Sequence, residues 1–229
     1  MGSHRSALLR CSLALAIPLG ALGIGLWVGG CNIIGLASYI APSPTIAAAY
    51  KNLGGQNVGV MVWTDRAMAI DWPTLQLDVS RGINSRLADS AKQKDPPKEL
   101  KATTFVMPES VIRYQRDHPE AETQAITDVA PRMNITRLIY LEIEQFSTRP
   151  EESLELFRGS ITANLKVIEV TDGKGKIAFQ KDNMKIQYPE KGNAEGMPGM
   201  SDLTVYEKTI QAFSIEVVNQ FVPYTAPDK

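Results

Sequence analysis

Histidine is the side chain best suited to acid–base chemistry near neutral pH, and the sequence contains two, His4 and His118. His118 lies in the segment Arg116-Asp117-His118-Pro119, where no serine elbow, cysteine nucleophile or carboxylate pair accompanies it. The sequence also lacks a phosphate-binding loop, a dinucleotide fingerprint and an HExxH motif. We therefore interpret His118 as a solvated loop residue, and we expect no catalytic residue, no metal and no cofactor.

Polar side chains follow two of the predicted strands. Asp65 and Arg66 come directly after the first strand, and Glu109 comes shortly after the second. Ligands of open α/β sheets bind at the carboxyl ends of parallel strands, so these three residues form the candidate ligand or partner site. The plainer interpretation is that Asp65 and Arg66 are a solvated pair and that Asp71 caps a helix.

Two classes of function are compatible with these residues. The first is a binding module with no catalytic role, because the motifs of catalysis are missing from the sequence. The alternative is an exported hydrolase or transferase that uses the strand-end site. That alternative requires a deep pocket that collects Asp65, Arg66 and Glu109.

Composition narrows the class of protein. The chain has 229 residues, of which 44% are hydrophobic, and this predicts one domain with a substantial core. Its formal net charge of −1 gives no reason to expect nucleic acid as a partner. Cys11 and Cys31 are the two cysteines, and both precede the predicted folded part. That part therefore contains neither a disulfide nor a thiolate metal site.

The N-terminal segment has the charge pattern of an export signal. Arg5 and Arg10 precede residues 11–50, which contain no Asp, Glu, Lys or Arg. A basic start followed by an apolar core and small residues is typical of a secretory signal. The positive end stays in the cytoplasm while the apolar core enters the membrane.

The segment Val28-Gly29-Gly30-Cys31 resembles the lipobox of bacterial lipoproteins, in which small residues precede a cysteine that is acylated and becomes the mature N-terminus. This resemblance implies a signal sequence over residues 1–30, a lipidated apolar tether over 31–55 and a single globular domain over 56–225. An uncleaved anchor is the alternative, because residues 13–40 are long enough to span a bilayer as a helix. In both cases we expect the domain to be tethered to a membrane of the cell envelope, outside the cytoplasm.

Strands and helices alternate in the first half of the body, which favours parallel pairing with right-handed crossovers. Apolar periodicity and capping residues predict a strand over 58–63, a loop over 64–70, a helix from Asp71 to before Lys94, a strand over 103–107, a helix over 108–116, a helix over 121–133 and a strand over 138–146.

The sequence of the second half of the body predicts an antiparallel hairpin and a closing helix. Apolar and polar residues alternate from Ile161, and Asp172-Gly173 forms a tight turn before a returning strand, in which Asp182 and Asn183 indicate either a bulge or an exposed edge. Ser201 caps the last helix. The predicted fold is α/β with a mixed five-stranded sheet, in the order β-α-β-α-α-β-β-β-α, parallel in its first part and an antiparallel meander after it.

A tethering cysteine followed by this element order resembles the envelope family that includes the curli-secretion lipoprotein CsgG, the penicillin-binding-protein activator LpoB and the N-terminal domain of TolB. The resemblance is carried by the box ending at Cys31, the Asn57–Trp63 strand with its helix, and the Asp172–Gly175 hairpin with the closing helix. It implies a non-enzymatic envelope lipoprotein that binds an envelope protein, with a homo-oligomer as one form of that assembly. Pore formation is disfavoured, because the one long hairpin is needed to build the sheet.

Replacement of Cys31 tests the lipid attachment. We expect a labelled fatty acid to be incorporated into the wild-type protein and to be absent from Cys31→Ala, because the thiol accepts the lipid. The measurement is metabolic labelling followed by electrophoresis of the purified protein. Label that is retained by Cys31→Ala, or absent from the wild type, would contradict the lipoprotein interpretation.

Overall fold

A mixed five-stranded sheet with helices on both faces organises the chain, and this confirms the predicted fold class. In chain order the strands and α-helices are β1 (Thr45–Ile46), β2 (Asn57–Thr64), α1 (Arg66–Asp71), α2 (Leu75–Ala91), β3 (Thr104–Phe105), α3 (Pro108–Asp117), α4 (Ile126–Val129), β4 (Arg137–Ser147), β5 (Gly159–Thr171), β6 (Lys174–Tyr188), α5 (Asp202–Val218) and β7 (Tyr224–Thr225).

This computed structural model describes residues 44–150, 155–190 and 196–226. Within them, Thr45 to Ala226 belong to one compact unit. The predicted signal sequence, the box ending at Cys31 and the first part of the predicted tether lie outside the described residues.

The strands of the main sheet lie in the order β3-β2-β4-β5-β6. β2 is parallel to both β3 and β4, whereas β4, β5 and β6 pair antiparallel. The predicted division into a parallel part and an antiparallel meander is therefore confirmed. β1 and β7 form a separate antiparallel pair that brings together the two ends of the described chain.

The hairpin between β5 and β6 depends on residues that tolerate a left-handed backbone. Asp172 and Gly173 have φ angles of 51° and 72°, which suit a two-residue turn that matches the twist of the strands. Asn183 also has a positive φ of 52°, and the pairing of β5 with β6 shifts register there. The predicted turn and the predicted bulge are both confirmed.

Each face of the sheet has its own hydrophobic core. Val58, Val60 and Val62 of β2 point into the larger core, which α2 and α5 cover. Met61 points to the opposite face, into a smaller core shared with α3 and α4. Because both faces of β2 are buried, its sequence is a continuous apolar run.

The predicted loop over 64–70 and the predicted helix start at Asp71 are both wrong. Asp65 caps α1, because its carboxylate Oδ1 accepts the Met68 N–H at 2.7 Å, and Asp71 is the last residue of that helix. Trp72 leaves the helical conformation with φ −130°, as expected for a residue before a proline. α2 then begins at Leu75.

The predicted helix over 121–133 is wrong in its continuity. A 3-10 helix over Pro119–Thr123, the short α4 and a second 3-10 helix over Ala130–Met133 replace it. Gln124 and Ala125 between them have extended backbones. This break allows side chains from the separate pieces to pack into the smaller core.

Helices α2 and α5 pack closely where the small residues Gly82 and Ser214 meet. A Cβ atom added at Gly82 would lie 2.5 Å from the hydroxyl oxygen of Ser214. We expect Gly82→Ala to destabilise the fold by about 1–3 kcal/mol through overpacking, although alanine is the better helix former.

Ser214→Ala is the matched partner for this test. The Ser214 hydroxyl is buried and has no hydrogen-bond partner among the described residues, so its removal should change stability by less than about 1 kcal/mol. In the double variant Gly82→Ala/Ser214→Ala the penalty should shrink. Urea unfolding of the wild type, the two single variants and the double variant measures the free energy of unfolding of each. If Gly82→Ala costs as much with Ser214→Ala as without it, the Ser214 hydroxyl is not the obstacle.

Candidate functional site

Strand β4 continues beyond the end of its parallel partner. Its last pair with β2 joins Ile143 to Thr64, and the segment from Glu144 to Ser147 pairs with β5 alone. The register of β4 with β5 shifts between Ile143 and Gln145, so Glu144 forms a bulge where the pairing with β2 stops. One edge of residues 144–147 therefore has no strand partner within the described part of the chain.

Helix α1 stands opposite this open edge. Together they enclose a groove of about 550 Å³, which we call the strand-edge groove. One wall consists of Asp65, Ala67, Met68, Asp71 and Trp72. The other consists of Glu144–Ser147, Arg149, Pro150 and Arg158, with Ser160 of β5 and with Lys185 and Gln187 of β6. The groove is open along its length, and this shape suits an extended chain better than an enclosed small molecule.

An aromatic cluster of Trp72, Phe146 and Tyr206 fixes the position of α1 beside β4. The Trp72 ring stacks on Tyr206 with centroids 5.5 Å apart, and it meets Phe146 edge-on at 5.0 Å. Tyr206 donates its hydroxyl hydrogen to Asp78 Oδ2 at 2.9 Å. Burial raises the pKa of Tyr206 above its ordinary range, so the hydroxyl stays protonated.

The start of α5 is fastened to the chain just after β4. Ser201 caps the helix by accepting the Thr204 N–H at 3.1 Å. The Asp202 carboxylate accepts hydrogen bonds from the Thr148 hydroxyl at 2.7 Å and from Arg149 Nη2 at 2.6 Å. Hydrogen bonds from Arg149 and Thr148 lower the pKa of Asp202 to about 2.

Two large apolar side chains stand exposed on α1 and α5, outside the lining of the groove. Ile70 is 70% exposed on α1, none of whose residues is buried. Leu203 is 66% exposed on α5, one helical turn before Tyr206 of the aromatic cluster. Single exposed apolar side chains of this kind are common on protein surfaces and do not by themselves mark a binding site.

The three residues predicted as a site do not lie together. Asp65 caps α1 and lines the strand-edge groove, and Arg66 is exposed on α1. Glu109 instead accepts a hydrogen bond from Arg81 Nε at 2.7 Å, and its own backbone N–H and Arg81 lower its pKa.

The shortness of β3 separates them. β3 pairs with Asn57 and Val58 alone, so the chain leaves it near the beginning of β2, whereas Asp65 follows the opposite end. None of four cavities that lie between the described residues is lined by Asp65, Arg66 and Glu109 together.

His118 lies at the end of α3, where it is exposed as predicted. Its Nδ1 atom is 3.0 Å from Glu120 Oε1, and its ring centroid is 4.5 Å from that of Tyr114. Within residues 44–150, 155–190 and 196–226, no group of His, Cys, Asp and Glu side chains is placed to hold a metal ion. No helix in the same ranges has the length and apolar character needed to span a membrane.

Sequence reasoning missed the strand-edge groove. The available signal was the unequal length of two parallel neighbours, because β2 has 8 residues and β4 has 11. Periodicity places Phe146 and Tyr206 on apolar faces of a strand and a helix, but their contact with Trp72 depends on tertiary structure that periodicity does not contain.

No family model and no curated protein matches the chain. Several solved structures are weakly similar. The PelC dodecamer from Paraburkholderia phytofirmans is 9% identical, with a TM-score of 0.41 over 81% of this chain and 97% of that chain. The hypothetical protein CT253 from Chlamydia trachomatis is 14% identical, with a TM-score of 0.41 over 72% and 96% of the two chains.

Lipoprotein GNA1162 from Neisseria meningitidis is 8% identical, with a TM-score of 0.40 over 71% of this chain and 98% of that chain. TM-scores of this size establish nothing about how this chain works. The resemblance to the CsgG, LpoB and TolB type therefore stays a prediction from the sequence.

The hydrogen bonds that Asp202 accepts at the start of α5 predict how the stability of the fold depends on pH in acid. The Asp202 pKa is about 2 in the folded chain and 3.8 ordinarily, so its ionised form stabilises the fold above pH 3.8, and this contribution is lost as the pH falls through about 2. We expect Asp202→Asn to lower the thermal midpoint at about pH 6, and the difference from wild type to shrink between about pH 4 and pH 2. Thermal unfolding across this range measures it, and a difference that is independent of pH would contradict the assignment.

Proposed function

We propose that this chain is a lipid-anchored protein of the cell envelope whose folded domain docks an extended segment of another protein in the strand-edge groove, without catalysing a reaction. The observation that carries the proposal is the continuation of β4 from Glu144 to Ser147 beyond the end of β2. An unpaired strand edge offers backbone donors and acceptors to an incoming chain.

Strand addition would supply both affinity and selectivity at this groove. Main-chain hydrogen bonds along residues 144–147 give affinity, and side-chain contacts with α1 select the sequence of the incoming segment. The groove is wide enough at about 550 Å³ to hold several residues of an extended chain. Met68, Trp72 and Phe146 in its lining offer apolar surface, worth about 25 cal/mol for each Å² that a partner buries.

The charges of the groove define the partner further. Its lining carries negative charge on Asp65, Asp71 and Glu144 and positive charge on Arg149, Arg158 and Lys185. A segment that carries one sign of charge throughout would meet like charges on at least one wall. We therefore infer a partner segment with apolar residues and charges of both signs, which another envelope protein supplies.

The tether places the domain close to its membrane. Cys31 and the start of β1 at Thr45 are 14 residues apart (45 − 31), a span that reaches at most about 50 Å when fully extended. A lipid on Cys31 would keep Thr45, at the start of β1, within that distance of the bilayer. This restriction raises the effective concentration of the domain toward membrane-bound partners.

Photo-crosslinking in intact cells tests the docking site. A photoreactive amino acid in place of Gln145, which is exposed beside the open edge, should form an adduct of one discrete mass. Ala67→Trp should reduce this adduct at least about tenfold, because the larger ring fills the groove; tenfold corresponds to about 1.4 kcal/mol.

Ala69→Trp is the matched control, because Ala69 is exposed on the same helix and does not line the groove. Its adduct yield should equal that of the chain with unmodified α1. Mass spectrometry of the adduct distinguishes a second copy of this chain from a different protein. An adduct that survives Ala67→Trp, or that both variants weaken equally, would contradict docking in the groove.

A further inference from the structure

A second cavity lies between the sheet and the layer that contains α3 and α4, and it shares no lining residue with the strand-edge groove. We call it the sheet cavity. Trp63, Tyr140 and Lys166 contribute to it from three adjacent strands, and Gln115 and Gln124 contribute from the covering layer. Its volume is about 190 Å³. An engineered cavity of about 150 Å³ holds a benzene ring, so this one has room for a single flat group of side-chain size.

The sheet cavity contains hydrogen-bond acceptors that have no donor. The Gln115 amide nitrogen donates to the Val62 carbonyl oxygen at 3.0 Å, and a carbonyl only accepts, so this contact fixes which end of the amide is the oxygen. Gln115 Oε1 and Gln124 Oε1 are both buried, and neither has a hydrogen-bond partner among the described residues. A buried acceptor without a donor costs about 1–3 kcal/mol, which a ligand rich in N–H groups would recover.

Charge and aromatic surface also favour a cation in the sheet cavity. Glu122 and Glu142 line it with negative charge, against the single lysine Lys166 and the imidazole of His118. Burial, and then the nearby Glu142, raise the pKa of Tyr140 to about 12, so its ring is uncharged at neutral pH. Trp63 and Tyr140 contribute the aromatic rings of a tryptophan and a tyrosine to the lining, and such rings attract cations.

We propose that the sheet cavity binds a guanidinium group, either the side chain of an arginine in a peptide or a small guanidine compound. A guanidinium is planar, carries five N–H donors and stacks on aromatic rings. An ammonium has three donors and no flat face, and an anion would meet two unpaired acceptor oxygens. The proposal does not depend on docking in the strand-edge groove.

Tryptophan signals report on the sheet cavity directly. The chain has 3 tryptophans; Trp63 lines the sheet cavity, and Trp72 lines the strand-edge groove and serves as an internal control. We would titrate the full chain in detergent micelles with N-acetyl-arginine amide, its uncharged citrulline analogue and ethylguanidinium, and follow the indole N–H resonances. The Trp63 resonance should shift with a dissociation constant on the order of 1 mM for the arginine compound, whereas that of Trp72 stays in place.

The three probes distinguish the effect of charge from the effect of shape. They also distinguish an arginine in a peptide from a free guanidine compound. The citrulline analogue should bind at least about fivefold more weakly than the arginine compound, because it keeps the planar group but lacks the charge. Ethylguanidinium that binds as well as the arginine compound identifies the guanidine group alone as sufficient. Ethylguanidinium that binds much more weakly indicates that a peptide frame contributes.

Glu142→Gln is the variant that tests the charge recognition. It removes one carboxylate charge with little change of shape, and we expect it to weaken binding of the arginine compound about fivefold to tenfold. Glu207→Gln is the control, because Glu207 is exposed on α5 and lines neither the sheet cavity nor the strand-edge groove. Equal affinity for the citrulline analogue, an unchanged affinity in Glu142→Gln, or no shift of Trp63 with any probe would overturn the proposal.

Discussion

Parallel pairing between β2 and β4 stops at Thr64 and Ile143, and the arrangement of the groove depends on that point. On one side the Asp65 cap turns the chain into α1, and on the other side the bulge at Glu144 carries β4 onward with β5 as its strand partner. A strand that extends beyond its neighbour leaves backbone N–H and C=O groups unpaired along one edge. The groove is therefore a consequence of unequal strand lengths and needs no separate insertion.

The open edge of β4 can recognise a partner as a preformed site only if α1 holds its position beside it. α1 has no fully buried residue, so its position depends on Met68, which packs partly buried against the larger core, and on Trp72 at its C-terminal end. Trp72 anchors the helix by packing against Phe146 and Tyr206, and the Asp202 carboxylate holds the start of α5 to Thr148 and Arg149. These contacts connect the two walls of the groove, and a preformed site loses less conformational entropy when it binds.

Local patterns predicted much of the fold, and they failed where distant parts of the chain decide the outcome. The five strands, the Asp172-Gly173 turn and the Ser201 cap all arise from signals within a few residues. The position of Glu109 does not arise from such a local signal, because it depends on how few residues of β3 pair with β2. The break at Gln124 and Ala125 is likewise a product of packing against the sheet, and the orphaned oxygen of Gln115 depends on a contact with Val62 that lies 53 positions away.

Hydroxyl-radical footprinting of Met68 and Trp72, which are partly exposed and line the strand-edge groove, is the most direct test of docking there, because it compares these side chains in intact cells with those of the purified chain. Met107 is 70% exposed and does not line the groove, so it is the internal reference. If a partner occupies the strand-edge groove, Met68 and Trp72 will be protected in cells while Met107 is oxidised equally in both samples. Equal oxidation of all three residues in cells and in the purified chain would contradict docking at this surface.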